Sequence, residues 1–151
     1  MARLTLEERY DSAIAERMIA LGNQMPGLPQ YLGITLQRFE AGRLWCRADL
    51  SQQLPTPSGN VHGGALAAIM DHITGAVIYP LIPDGYWGAT TELKLNYIAP
   101  VAPKPLDAEA LVLAITNRSA VVRAEAYLDG QIVCAAQGTI SIIAPRTAPA
   151  P

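Results

Sequence analysis

The sequence predicts an α+β domain in which one antiparallel sheet curls around a single apolar helix. The stretch from Asn60 to Tyr79 opens with a glycine-rich turn and is apolar on nearly every face, and such a helix belongs in a core. Apolar and polar residues alternate before and after this stretch, which indicates half-buried strands. A length of 151 residues, half of them hydrophobic, fits one domain with a sizeable core. We therefore treat residues 1–151 as a single domain.

The charge balance and the two cysteines exclude several classes of protein. Lys and Arg number 11 against 13 Asp and Glu, without a basic run, so no nucleic-acid partner is expected. Cys46 and Cys134 lie far apart and lack metal-ligand spacing, so we expect reduced core cysteines, no metal and a cytoplasmic protein. The N-terminus turns acidic too early for a signal peptide. His62, Thr74 and three glycines interrupt the apolar stretch, which favours a buried helix over a membrane span.

An N-terminal helix is predicted over residues 5–22. Thr5 and Glu8 have the spacing of a capping box. Apolar residues then recur every three or four positions up to Leu21. Gly22 and Asn23 provide the stop signal.

The remaining elements follow from the alternation and from the Gly and Pro positions. Residues 54–60 read as a loop into the central helix, which Pro80 and Pro83 end. Asp129-Gly130 is the strongest hairpin turn in the chain. Residues 144–151 form a Pro/Ala tail that is expected to be disordered. Strands are predicted over residues 32–40 and 43–50, from residue 88, over 106–115 and 120–128, and from 131 to about 143.

One set of motifs resembles a known family. His62-Gly63-Gly64 is followed by Asp71 nine residues after the histidine, and then by Gly75-Ala76. Residues 88–100, Gly-Ala-Thr-Thr-Glu-Leu-Lys-Leu-Asn-Tyr-Ile-Ala-Pro, and residues 135–139, Ala-Ala-Gln-Gly-Thr, resemble later strands of the same family. Over roughly residues 32–143 the chain resembles the hotdog-fold acyl-CoA thioesterases of the phenylacetate-degradation type.

The resemblance implies a fold, an assembly and a reaction. The fold would be a hotdog fold, with five or six antiparallel strands around the central helix. The assembly would be a homodimer with a continuous sheet, usually paired into a tetramer. The reaction would be hydrolysis of an acyl-CoA thioester to a carboxylic acid and coenzyme A. No metal and no separate cofactor would be needed, because coenzyme A is part of the substrate.

The resemblance also assigns catalytic roles position by position. Asp71 would be the nucleophile or the general base. Gly63 would supply the backbone N–H that polarises the thioester carbonyl. His62 would support that turn and help to position the substrate. Thr90 falls where the family often has a Ser or Thr that orients the attacking water.

Four further residues are expected to contact the substrate. Gly64, like Gly63, has no side chain to hinder approach to the start of the helix. Arg118 and Ser119 match a position that often meets the pantetheine or phosphate of the coenzyme. Thr56 stands where many relatives have an Asn aimed at the reacting centre. A hydroxyl is shorter than an amide, so this replacement bears on the rate or on the reaction itself.

These residue types suit the chemistry of thioester hydrolysis, and the spacing of Gly63 and Asp71 predicts a site shared between two chains. Free N–H groups and the helix dipole at a helix start favour a developing oxyanion, and a carboxylate in apolar surroundings suits general-base work. Eight residues separate Gly63 from Asp71, or about 12 Å along one helix. Both groups cannot touch one carbonyl from the same chain. We therefore expect Asp71 of one subunit to face Gly63 of its partner, and the high apolar fraction also favours an oligomer.

Other interpretations of these residues remain open. Asp71 could be a structural carboxylate. His72 could be a hydrogen-bonded polar residue without a catalytic role, and Gly75 could serve close packing. A hotdog hydratase or dehydratase would pair a catalytic histidine with an acid in other motifs. A non-catalytic acyl-CoA-binding protein is the remaining alternative, since Thr56 replaces the usual Asn.

Overall fold

A computed structural model describes residues 4–52 and 55–145. One sheet of six antiparallel strands, in the order β1-β2-β4-β5-β6-β3, wraps around the central helix α4. The predicted α+β class and the predicted sheet around one helix are confirmed. The strands are β1 (Ile34–Glu40), β2 (Arg43–Asp49), β3 (Trp87–Tyr97), β4 (Pro105–Ile115), β5 (Ser119–Leu128) and β6 (Gln131–Ile143). The helices are α1 (Leu6–Arg9), α2 (Ser12–Gly22), α3 (Leu28–Tyr31) and α4 (Gly63–Ala76), with a 3-10 turn over Tyr79–Leu81.

The core lies between α4 and the inner face of the sheet. Ile69, Met70 and Ile73 of α4 are completely buried, and the alternate residues of β4, β5 and β6 meet them. The stretch Gly63–Leu81 is long and apolar enough for a membrane span, yet 56% of an apolar segment of 18 residues within it is buried inside the fold. This burial fits the predicted core helix.

One face of α4 is not covered by its own chain. Gly64 and Asp71 are exposed, and Ala67, Ala68 and Gly75 are half-buried. The sequence predicted a helix covered on most sides, and the sheet covers its inner side alone. The remaining face consists of small residues around one carboxylate.

The single N-terminal helix expected over residues 5–22 is wrong, because two helices occupy this segment. Thr5 and Glu8 do form the capping box. Tyr10 is then extended, and the Asp11 side chain accepts hydrogen bonds from the N–H groups of Ala13 and Ile14 to start α2. The Asp11 N–H donates to the Pro80 carbonyl at 2.8 Å. This tertiary hydrogen bond and the cap formed by Asp11 interrupt the helix, although the spacing of apolar residues continues through this point of the sequence.

The loops follow the sequence signals with smaller differences. Asp129 and Gly130 have φ of 51° and 78°, as a two-residue hairpin turn requires. Leu28–Tyr31 forms a short helix between α2 and β1, with Pro29 in its first turn. Residue 54 of the predicted 54–60 loop and residues 146–151 of the predicted tail lie outside the described residues.

The two edges of the sheet differ. β1 pairs with β2 alone, and the Asn23 side chain accepts from the Leu36 N–H at 2.7 Å and donates to the Leu36 carbonyl at 3.0 Å. At the other edge β3 pairs with β6 alone and runs for 11 residues. Within the described part of the chain, no side chain hydrogen-bonds to the β3 backbone. The β1 edge is therefore blocked and the β3 edge is open.

Candidate functional site

Among the residues that the structure describes, one amide at the start of α4 has no hydrogen-bond partner. His62 is the N-cap, and its Nδ1 accepts from the Gly64 N–H at 2.9 Å, so its ring proton is assigned to Nε2. The Ala65 N–H donates to the His62 carbonyl at 2.9 Å. Among the described residues nothing accepts from the Gly63 N–H, which the helix dipole makes a favourable donor to an anion.

A cleft lined by uncharged residues lies against this amide. Its volume is about 320 Å³, and none of its lining side chains is charged. A Cβ added to Gly63 would lie 3.3 Å from Cε1 of Tyr97, so the tyrosine ring covers the first turn. The lining residues are Val61, Gly63, Leu66, Tyr97, Ile98, Ala99, Pro100 and Val101.

Asp71 lies in the middle of α4, on its uncovered face. The side chain is exposed, and within the described residues no hydrogen bond or ion pair reaches its carboxylate. The backbone carbonyl of Asp71 accepts from the buried Thr74 hydroxyl at 3.0 Å. The expectation that Asp71 is buried is therefore wrong for the single chain. Burial lowers the pKa of the neighbouring His72, and the nearby Asp71 carboxylate partly offsets this shift.

Arg118 and Ser119 lie near the start of β3, whereas Gly63 lies near its end. Gly63 contacts Tyr97, the last residue of that strand. The Arg118 carbonyl accepts from the Ile142 N–H at 2.8 Å, and Ile142 pairs with Gly88 near the strand's start. Nine residues of strand separate Gly88 from Tyr97, which is about 30 Å. A single chain therefore keeps Arg118 and Ser119 well apart from Gly63.

Thr90 lies on the helix-facing side of β3, nearer the Arg118 end than the Gly63 end. It pairs with the buried Ile140, and its own side chain is exposed. The extra residue of a bulge, Thr91, follows it and donates a hydrogen bond to the Thr139 carbonyl at 3.0 Å. Thr90 is thus available to a ligand, but not to one held by Gly63 of the same chain.

Thr56 lies in the loop before α4, and its side chain is engaged locally. Its hydroxyl is 2.7 Å from the Ser58 hydroxyl. Its N–H donates to the Asn60 carbonyl at 2.7 Å, and its carbonyl accepts from the Gly59 N–H at 2.8 Å. Thr56 therefore closes a tight turn, and its side chain does not extend as an amide would.

The structure adds one residue that the sequence did not single out. Tyr97 lines the cleft and covers Gly63. Its place at the end of the 88–100 motif was the available signal. In the described residues no group of three or more His, Cys, Asp or Glu side chains could hold a metal ion.

The site geometry can be compared with known proteins. A family model described as the thioesterase superfamily matches residues 58–135, just over half of the chain. A curated relative from Saccharolobus solfataricus, provisionally named esterase SSO1253, is 29% identical over 107 residues, which span 70% of this chain and 69% of the relative.

Solved structures agree in fold. The phenylacetic acid degradation-related protein of Ralstonia eutropha JMP134 has a TM-score of 0.78 and 25% identity, with 85% of this chain and 98% of that chain covered. Thioesterase HI1161 of Haemophilus influenzae has a TM-score of 0.79 and 18% identity, with 87% and 94% covered. At 18% identity the second likeness shows the fold alone.

Proposed function

The chain belongs to the thioesterase superfamily, and from this we propose that it hydrolyses an acyl-CoA thioester to a carboxylic acid and coenzyme A. The observation that carries the proposal is the unpaired Gly63 N–H at a helix start, beside an uncharged cleft. In this proposal the amide donates to the thioester carbonyl and to the oxyanion that develops from it. His62 supports the donor indirectly, by capping α4 through Gly64.

Asp71 of a second subunit supplies the other half of the reaction in this proposal. As a general base, its carboxylate takes a proton from water while the hydroxyl adds to the thioester carbon. The tetrahedral intermediate then collapses, the C–S bond breaks, and the leaving thiolate takes up the proton. As a nucleophile, Asp71 would instead form an anhydride that water hydrolyses. Thr90 is assigned to orient that water.

Two surfaces support a shared site. The uncovered face of α4 carries small residues around Asp71, so a second helix could approach closely and bury that carboxylate. The open β3 edge allows a second copy to continue the sheet. Antiparallel continuation brings the partner's Arg118 and Ser119 towards Gly63, where they could meet the coenzyme's phosphate or pantetheine. Gly64 and Thr56 are assigned to substrate contact in the same site.

We extend the proposal to a dimer of dimers in the cytoplasm, acting without metal or added cofactor, nucleic acid or membrane. The expectation of reduced cysteines agrees with two free, buried thiols. Sedimentation of the native chain tests the assembly.

Complementation between two inactive variants tests the shared site. Asp71→Asn removes the carboxylate, and Gly63→Pro removes the N–H at the first helical position, where proline is tolerated. Co-expressed chains that pair at random would regain about a quarter of wild-type thiol release, because half of the dimers hold one intact site. Either variant alone should stay inactive. No recovery in verified heterodimers would overturn the shared site.

A non-catalytic acyl-CoA-binding protein is the alternative, favoured by the local engagement of the Thr56 hydroxyl. Release of free thiol from a panel of aryl- and fatty-acyl-CoA esters separates the two. Tight binding without turnover, equal in wild type and Asp71→Asn, would select the binding protein. Hydration of enoyl-CoA would instead select the hydratase.

A further inference from the structure

We propose that the Tyr97 hydroxyl is a second hydrogen-bond donor to the thioester carbonyl, beside the Gly63 N–H. This inference rests on the proposed function and adds a catalytic residue to it. Both residues line the same cleft. Among the described residues, neither the Gly63 N–H nor the Tyr97 hydroxyl has a hydrogen-bond partner. The two free donors therefore lie at one place in the fold.

The separation of the two donors suits one shared acceptor. The Tyr97 hydroxyl oxygen lies 3.7 Å from the position that a Cβ on Gly63 would take. A Cβ is about 2.5 Å from the N atom of its own residue, so the hydroxyl lies within about 6 Å of the Gly63 N. Two donors that each lie about 2.7–3.1 Å from one oxyanion are about 5 Å apart. A carbonyl oxygen held in the cleft is therefore within reach of both.

Backbone hydrogen bonds hold the two donors in this arrangement. Tyr97 ends β3, and the N–H that follows it in the chain donates to the Val133 carbonyl at 2.9 Å. The Val61 N–H, two residues before Gly63, donates to the Val101 carbonyl at 2.7 Å. This bond ties the start of α4 to the segment that follows β3. Donors fixed before the substrate binds need no reorganisation during the reaction.

The hydroxyl group has no other explanation in the cleft. The remaining lining residues carry aliphatic side chains or none, so within the described part of the chain Tyr97 supplies the only side-chain donor there. A phenylalanine would cover Gly63 with the same ring, and packing alone therefore does not require the O–H. Tyrosine is among the residues that form oxyanion holes. The hydroxyl keeps its proton throughout, so the bonds that form and break are those of the proposed hydrolysis.

Tyr97→Phe tests the donor, because it removes the O–H and keeps the ring over Gly63. We expect kcat for thiol release to fall by about 10²–10³-fold, as for other lost oxyanion donors, with KM and the melting temperature little changed. Tyr86→Phe is the matched control, since Tyr86 lies outside the cleft and should keep the wild-type kcat. Equal kcat in Tyr97→Phe and wild type, or an equal loss in Tyr86→Phe, would overturn the assignment.

The carbonyl stretching frequency of a bound analogue tests the same contact without turnover. A ketone analogue of an acyl-CoA, with a methylene group in place of the sulfur, keeps the carbonyl and resists hydrolysis. Hydrogen bonds to a carbonyl lower its infrared frequency, so the band should lie higher in Tyr97→Phe than in the wild type, and higher again when Gly63→Pro is added. An unchanged band, or no binding of the analogue to the wild type, would overturn the inference.

The two readouts separate this inference from the proposed function. A shifted band without thiol release from any ester would refute hydrolysis and leave the pair of donors standing. Thiol release that Tyr97→Phe does not slow would refute the second donor and leave hydrolysis standing.

Discussion

Replacing Gly63 by proline isolates the contribution of one N–H group. Gly63 is the first residue of α4, where a missing N–H removes no helix hydrogen bond and the proline φ is already suitable. The preceding His62 has φ −63° and ψ 136°, a conformation that proline accepts in its neighbour. The helix should therefore form in Gly63→Pro, and only the outward donor is lost.

Gly63→Ala is the matched control, because it adds a Cβ and keeps the N–H. The new Cβ would lie 3.3 Å from Cε1 and 3.4 Å from Cζ of Tyr97. The tyrosine is 56% exposed, so its ring can move by the few tenths of an ångström that this contact requires. Both variants share this steric cost of the Cβ, so their ratio reports the replacement of the N–H by the proline ring.

The expected ratio follows from known oxyanion donors. Loss of one such donor typically lowers kcat by about 10²–10³, or about 3–4 kcal/mol of transition-state stabilisation. We expect Gly63→Pro to fall below Gly63→Ala in kcat by this factor, with similar KM. Thiol release gives kcat, and thermal melts of both variants confirm folding. Equal kcat in two folded variants would refute the role of the Gly63 amide.

Four further changes test other parts of the structure. Gly75→Ala places a Cβ where no atom of the described residues lies within 4 Å. It should therefore stabilise an isolated subunit by about 1 kcal/mol but weaken a dimer packed on that face. A more stable variant with unchanged sedimentation would exclude a helix contact there. Burial raises the pKa of the Cys46 thiol from 9.0 to about 12. The contribution of this thiol to stability is therefore complete below pH 9 and is lost as the pH rises towards 12. Relative to Cys46→Ala, the wild-type free energy of unfolding should fall by about 1.4 kcal/mol per pH unit between these values, and an equal pH dependence in both proteins would contradict this. Asn23→Ala removes both hydrogen bonds to Leu36 and should cost about 1–2 kcal/mol in urea denaturation; no loss would mean that water satisfies that edge equally well. Thr56→Asn should raise kcat if the missing amide limits turnover, whereas an unchanged or lower rate would show that the turn closed by Thr56 matters more.

Local pattern was sufficient for most of the fold. The apolar run of α4 and the Asp129-Gly130 turn depend on neighbours in sequence, and both agree with the structure. The family inferred from His62-Gly63-Gly64 and Asp71 is confirmed by the family model. The break between α1 and α2 could not be read in this way, because Tyr10 continues the apolar stripe and the Asp11 N–H bonds to Pro80, far along the chain.

The environment of Asp71 could not be predicted from a single chain for a different reason. An apolar helix implies burial, but the sequence does not say which molecule provides the cover. Here the sheet of the same chain buries the opposite face, so the carboxylate remains exposed. The assigned roles of Asp71, Gly63, Thr90 and Arg118 stay predictions, since nothing in one chain brings these groups together.

Two features of the chain are costly for an isolated subunit. Glycine in a helix interior costs about 1 kcal/mol relative to alanine, yet among the described residues no atom lies within 4 Å of a Cβ placed at Gly75. The chain uses Asn23 to close the β1 edge and leaves the longer β3 edge open, although open edges promote aggregation. Both costs fall on the surfaces that the shared site needs. A protein that functioned as a monomer would gain stability by changing either feature, so their presence together favours a catalytic unit of two chains.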